Sequence, residues 1–161
     1  MIDGVVTELI KTVQAFFHFG IPNGHLLGWD PDRLFHRFRK RFEGYHVANY
    51  TDFNYSYCNS FQIEPQYGNG DCYVLTAKFS FVAPVYSVHS TKYSDSKTRG
   101  FVVPETSDPT MRLLTGLVHQ FATHEGFALL SPEMSNIVVD DVKLELSDIA
   151  TLGKCLFDDY E

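Results

Sequence analysis

Apolar residues return at helical spacing near the start of the chain. Val6, Leu9, Ile10, Val13, Phe16 and Phe17 fall on one stripe, which predicts a helix over about residues 4–18 with that stripe against a core. Gly20, Pro22, Asn23 and Gly24 then break the pattern. Asp30-Pro31-Asp32 reads as a second start, with Asp30 as the cap and Pro31 in the first turn. The helix that follows is expected to run to about Phe42 and end at Gly44. It buries Leu34, Phe35, Phe38 and Phe42 and leaves Arg33, Arg37, Arg39, Lys40 and Arg41 on its solvent face.

The period then changes from helical to two. Phe53, Tyr55, Tyr57, Asn59, Phe61 and Ile63 alternate with Asn54, Ser56, Cys58, Ser60, Gln62 and Glu64, the pattern of a half-buried antiparallel strand. Gly68-Asn69-Gly70-Asp71 supplies a turn. Tyr73, Leu75, Ala77, Phe79 and Phe81 form the buried set of the next strand, with Thr76, Lys78 and Ser80 on its other face. Pro84 ends it; a further strand is expected over Val85–Tyr93, a polar loop over Ser94–Gly100 and a short strand at Phe101–Val103.

Ser107-Asp108-Pro109 is the third helix start. Met111, Leu114, Leu117, Val118 and Phe121 set a helix near residues 109–125 against the sheet, ending at Gly126. Beyond it come Phe127–Leu130, a break at Pro132, and Val138, Val142, Leu144 and Leu146 among acidic positions. In the tail, Ile149, Leu152, Cys155, Leu156 and Phe157 predict a short strand or helix that docks its apolar side and leaves Asp158, Asp159, Tyr160 and Glu161 exposed. No repeat or linker divides the chain. The expected architecture is one α+β domain spanning 1–161, helical over 4–43 and strand-rich afterwards. Its antiparallel sheet of about four to six strands packs against three helices as a single layer pair.

Composition narrows the function classes. A chain of 161 residues that is 44% hydrophobic and 15% aromatic has enough apolar surface for one core. No run of about 18 apolar residues predicts a membrane span, and the start of the chain lacks the basic segment and cleavage site of a secretory leader. Cys58, Cys72 and Cys155 form neither an even framework nor a metal-binding pair, and are read as reduced thiols of a cytoplasmic protein. The alternative is one disulfide or an accessible thiol at Cys155. A net charge of −7 repels phosphate backbones and anionic lipid and attracts basic partners, so neither nucleic acid nor membrane is the expected ligand. The basic face at Arg33–Arg41 is opposed locally by Asp30, Asp32 and Glu43 and is expected to pair with the acidic tail.

Catalytic signatures are weak. His119 and His124, beside Glu125, are five positions apart, which turns them about 140° from each other on a helix. The second histidine that a zinc-protease helix needs is missing. His25, His46 or His89 would need a carboxylate partner that linear order does not supply, and Cys58 or Cys72 would need a histidine. Gly68–Gly70 is too short to cradle a phosphate. A pocket lined by the sheet aromatics Tyr55, Tyr57, Tyr73 and Phe79 is the alternative reading, as a small-ligand module or an enzyme. A structural subunit that self-associates is another. No cofactor, metal or catalytic residue is assigned.

Acidic charge is concentrated at the end of the chain. Glu133, Asp140, Asp141, Glu145, Asp148, Asp158, Asp159 and Glu161 face only Lys143 and Lys154. Asp140, Asp141 and Glu145 form one candidate partner-binding cluster; Asp158, Asp159 and Glu161 form the other, with Tyr160 as an aromatic anchor. Phe127–Glu133 and Cys155-Leu156-Phe157-Asp158-Asp159 resemble segments of the immunity proteins of bacterial polymorphic-toxin and contact-dependent inhibition systems. That resemblance covers about the last 35 residues and implies a non-catalytic cytoplasmic protein, monomer or weak dimer, that binds a cognate toxin domain stoichiometrically. The charge makes a basic nuclease the expected toxin.

Overall fold

The computed structural model describes residues 2–64, 72–93, 100–104 and 108–160; the turn expected at 68–71 and most of the loop expected at 94–100 lie outside them. Helix α1 (Ile2–Phe16) is followed by short α2 (Gly24–Leu27) and by α3 (Phe35–Arg41). Strands β1 (His46–Asn49), β2 (Cys58–Glu64), β3 (Cys72–Ser80), β4 (Val85–Tyr93) and β5 (Gly100–Val103) precede helix α4 (Pro109–His124). Strand β6 (Ala128–Leu129) and short helices α5 (Pro132–Ser135) and α6 (Leu152–Leu156) complete the chain. The α+β class is as expected. The strands make one sheet in the order β1-β2-β3-β4-β5, antiparallel throughout, with β6 added parallel to β4.

The parity of the strands divides the interior. Asn59, Phe79 and Tyr86 stand opposite one another across β2, β3 and β4, so Phe61, Ile63, Leu75 and Ala77 share their face. That face meets Phe38 and Phe42 from the α3 region and Met111, Leu114, Val118 and Phe121 from α4, in a core built largely of aromatic rings. Cys58 and Val85 have the opposite parity. They join Leu9, Val13 and Phe17 of the α1 segment and Leu152, Cys155 and Leu156 of α6 in a second core. The stripe on α1 holds for Leu9, Val13 and Phe17, with Val6 and Ile10 packed against them, but Phe16, read as core, is 37% exposed. The Asp108-Pro109 start of α4 is as read: the Asp108 carboxylate accepts the Met111 amide at 3.1 Å.

Four readings need correction. The second helix does not start at Asp30. The Asp30 carboxylate accepts the Asp32 amide in a local turn, and α3 begins only after Leu34, whose φ of 69° is left-handed. Arg33, assigned to the solvent face of that helix, turns inward just before α3 begins. Its Nε donates to Asn59 Oδ1 at 2.9 Å, one terminal nitrogen donates to the Phe79 and Ser80 carbonyls at 3.0 Å, and the guanidinium lies 3.6 Å from the Phe81 ring centroid. Burial lowers its pKa to about 10, still charged at neutral pH. Among the described residues the basic face makes no ion pair with the tail, and Arg37 instead grips Glu125 at the end of α4 at 2.8 Å. Finally, the alternation from Phe53 forms strand only from Cys58. Tyr55, at φ 62°, is exposed, and Ser56 pairs instead with Asp158 in an isolated bridge.

Candidate functional site

The largest departure from the sequence reading is at the tail. Asp158 is 2% exposed and Asp159 0%, so neither presents a carboxylate to solvent. Helix α6, capped by the Thr151 hydroxyl on the Lys154 amide, draws Cys155, Leu156 and Phe157 into the second core and carries the next two residues in with them. Burying a carboxylate is costly unless it is paired and hydrogen-bonded; Asp158 is both, whereas Asp159 is hydrogen-bonded through one oxygen only, and its Oδ1 has no hydrogen-bond partner among the described residues. Asp158 accepts from the Lys78 ammonium on one oxygen and from the Ser56 hydroxyl on the other, with the Cys58 thiol at 3.9 Å. Lys78, read as lying on the other face of its strand from the buried set, is itself buried at 4% exposure.

Asp159 serves a different purpose. One of its oxygens accepts the Glu145 and Leu146 amides at 3.0 and 2.7 Å, and the Ser147 hydroxyl donates to its carbonyl at 2.6 Å. Its own amide donates to the Tyr55 carbonyl at 2.8 Å. Meanwhile the Val139 amide donates to Ala150 O and the Leu152 amide to Ile137 O, so the two ends of segment 140–149 are held side by side. The result is a ten-residue loop closed at its base and pinned at its middle by a buried carboxylate. Val139, Leu144 and Ala150 turn into the core. Asp141, at φ 62°, takes the left-handed turn that aspartate tolerates. Gln14 of α1 donates to the Asp140 carbonyl at 3.0 Å and ties the loop to the first helix.

What the loop displays is set by that anchoring. Asp140, Asp141, Glu145 and Asp148 are exposed, and Lys143 is the single cation among them. Leu146 and Ile149 are 52% and 59% exposed. Tyr160, one residue beyond Asp159, and Tyr55, whose carbonyl holds that residue's amide, are exposed beside the pinned middle of the loop. Of the predicted partner-binding residues, Asp140, Asp141 and Glu145 are exposed on this loop and Tyr160 is exposed next to its anchor Asp159, whereas Asp158 and Asp159 lie in the interior. Glu161 lies outside the described residues. Sequence reading missed Asp148, Leu146 and Ile149 as members of this surface. It also missed Ser56 and Lys78 as partners of the tail. The available signal was a lone lysine in the apolar strand Tyr73–Phe81, which requires an anion if the strand is covered on both faces.

The remaining candidates disperse. Tyr57 and Phe79 are core, Tyr55 is on the surface and Tyr73 is half-buried, so no aromatic-lined pocket forms from this set. His124 and His46 are exposed, and His25 packs against the Phe53 ring. His119 bonds through Nδ1 to the Tyr86 hydroxyl at 2.6 Å and, with His89, borders a cleft of about 1020 Å³ beside β4. Among the described residues no three His, Cys, Asp or Glu side chains gather as a metal site, and no helix is long and apolar enough to cross a membrane.

All three cysteines are free, Cys58 and Cys155 buried and Cys72 half-buried. An accessible Cys155 is thus a reading to correct, because the docked face of α6 covers it. Burial, with Asp159 adding to it, pushes the Cys155 thiol up to about 12, and burial likewise raises Tyr57. In both groups the folded state holds a proton that the unfolded chain releases sooner. Their stabilisation is complete below the unfolded thiol value near 9 and is lost as pH rises toward about 12. Arg33 acts in the opposite sense only above about 10. Urea midpoints are therefore expected to fall between pH 9 and 10, and iodoacetamide is expected to label native protein at Cys72 alone; a flat midpoint or rapid Cys155 labelling contradicts this account.

No family model, no curated protein and no solved structure matches the chain.

Proposed function

We propose that the protein is a non-catalytic binding protein that neutralises a basic protein partner by covering its working surface, as immunity proteins do with their cognate toxin domains. The observation that carries the reading is the pinned loop 140–149. It offers four exposed carboxylates against one lysine, interspersed with exposed Leu146 and Ile149. Carboxylates on a rigid loop speed encounter with a cationic surface, and apolar side chains among them supply area that charge alone does not. Pre-ordering by Asp159 lowers the conformational entropy lost on docking.

Tyr160 and Tyr55 extend the same surface, and Glu161 is proposed to add a further carboxylate at its margin. Asp158 and Asp159 act behind it and do not touch the partner. The free thiols suit a reducing compartment, which supports action in the cytoplasm. A basic nuclease remains the expected partner, because its phosphate-binding cations match this array of carboxylates.

The test uses the toxic domain encoded beside this chain. An equimolar complex is expected by size-exclusion chromatography, with affinity falling as salt is raised. Reversing Asp140, Asp141, Glu145 and Asp148 to lysine is expected to weaken binding by about 100-fold or more and to abolish protection of cells expressing the toxin. A complex unaffected by the four reversals, or none at low salt, rejects the reading.

A further inference from the structure

Strand β4 is paired along its whole length with β3, but its other edge is shared. Strand β5 takes Ser90–Tyr93 and β6 takes Val85 and Tyr86. Between them, Ser87, Val88 and His89 have a strand partner only on the β3 side among the described residues. Consecutive strand residues point to opposite faces, yet all three line the cleft of about 1020 Å³. The cleft is therefore a slot through the split in the sheet edge. His119 borders it from the α4 face, and α5 and α6 border it from the other.

The lining of the slot has a definite chemistry. Val88, Val102, Leu129 and Phe157 give it apolar walls, and Asn136 and Lys154 are among the polar groups. Its single carboxylate, Asp158, is already engaged by Lys78 and Ser56. Lys154 has no ion-pair partner among the described residues. A chain of net charge −7 thus keeps one uncompensated lysine beside an apolar slot large enough for a small molecule.

We propose that the slot binds a small amphiphilic monocarboxylate, its apolar body against Val88, Val102, Leu129 and Phe157 and its carboxylate against Lys154 and the Asn136 amide. One uncompensated cation matches one negative charge. Lys78, the other lysine of the lining, is already engaged by Asp158, so a dianion such as a phosphate monoester would find one ammonium for two charges. This site is separate from the acidic loop, and neither proposal depends on the other.

Decanoate below its micelle concentration is the probe, titrated into ¹⁵N-labelled protein, with 1-decanol and inorganic phosphate as comparators. Saturable amide shifts at Ser87–His89, Asn136 and Gly153 are expected with decanoate in the millimolar range or below. Lys154→Met is expected to weaken it about tenfold, while Lys143→Met on the acidic loop leaves it unchanged. Equal binding of decanol, binding of phosphate at the same amides, or no saturable shift at the slot overturns the proposal. So does an unaltered affinity in Lys154→Met with its native spectrum intact. Co-sedimentation of the protein with phosphatidylglycerol vesicles would assign the slot to a membrane lipid and equally overturn it.

Discussion

Replacing Lys78 by methionine is expected to lower unfolding stability by about 3–5 kcal/mol, among the largest effects of any single substitution in this chain. Methionine preserves most of the side-chain volume and its fit between β2 and β4, so the loss is not one of packing. It comes from leaving the Asp158 carboxylate, 2% exposed, without its cation. Ser56 and Cys58 still face that carboxylate, but a hydroxyl and a thiol do not neutralise a charge withdrawn from water. The companion variant Lys78→Met with Asp158→Leu is expected to recover much of the loss, because removing both charges leaves no orphan. Urea denaturation of the two singles and the double closes the cycle. Additive losses would show that the two side chains do not act as a pair.

Asp159→Ala is expected to separate loop order from loop charge. The substitution removes the acceptor for the Glu145 and Leu146 amides while leaving every exposed carboxylate of 140–149 in place. A loss of about 2–3 kcal/mol is expected, since a charged acceptor of two amides is deleted from a buried site. Hydrogen exchange at Glu145 and Leu146 should accelerate well beyond the global change, and that local excess is the diagnostic reading. If the loop binds its partner as a preformed element, affinity should fall although net charge becomes less negative by only one. Unchanged exchange at those amides would mean that the base contacts at Val139 and Ala150 suffice to hold the loop.

These two expectations rest on side chains whose roles the linear pattern misassigned, and the reason is the same for both. A polar residue in an alternating strand, or an acid at the end of a chain, is placed in water by default because water is the lowest-cost partner. Lys78 and Asp158 stand 80 positions apart and make each other's burial tolerable only after β3 and α6 are brought together. Arg33 is a third case: Asn59 and the carbonyls of Phe79 and Ser80 are its partners, and sheet formation creates them.

Local pattern by itself determined the α+β class, the stripe of α1 that holds Leu9 and Val13, and the bounds of β4. It also determined the capped start of α4 at Asp108-Pro109. Those features depend on neighbours a few residues apart, through side-chain period and the hydrogen bond of a capping carboxylate. Only the tertiary structure decided which acids remain in solvent, where the sheet edge splits, and that Asp159 pins the loop bearing Asp140, Asp141, Glu145 and Asp148. Each of those outcomes turns on whether a charged or hydrogen-bonding group meets its complement across the fold, which spacing along the chain does not encode.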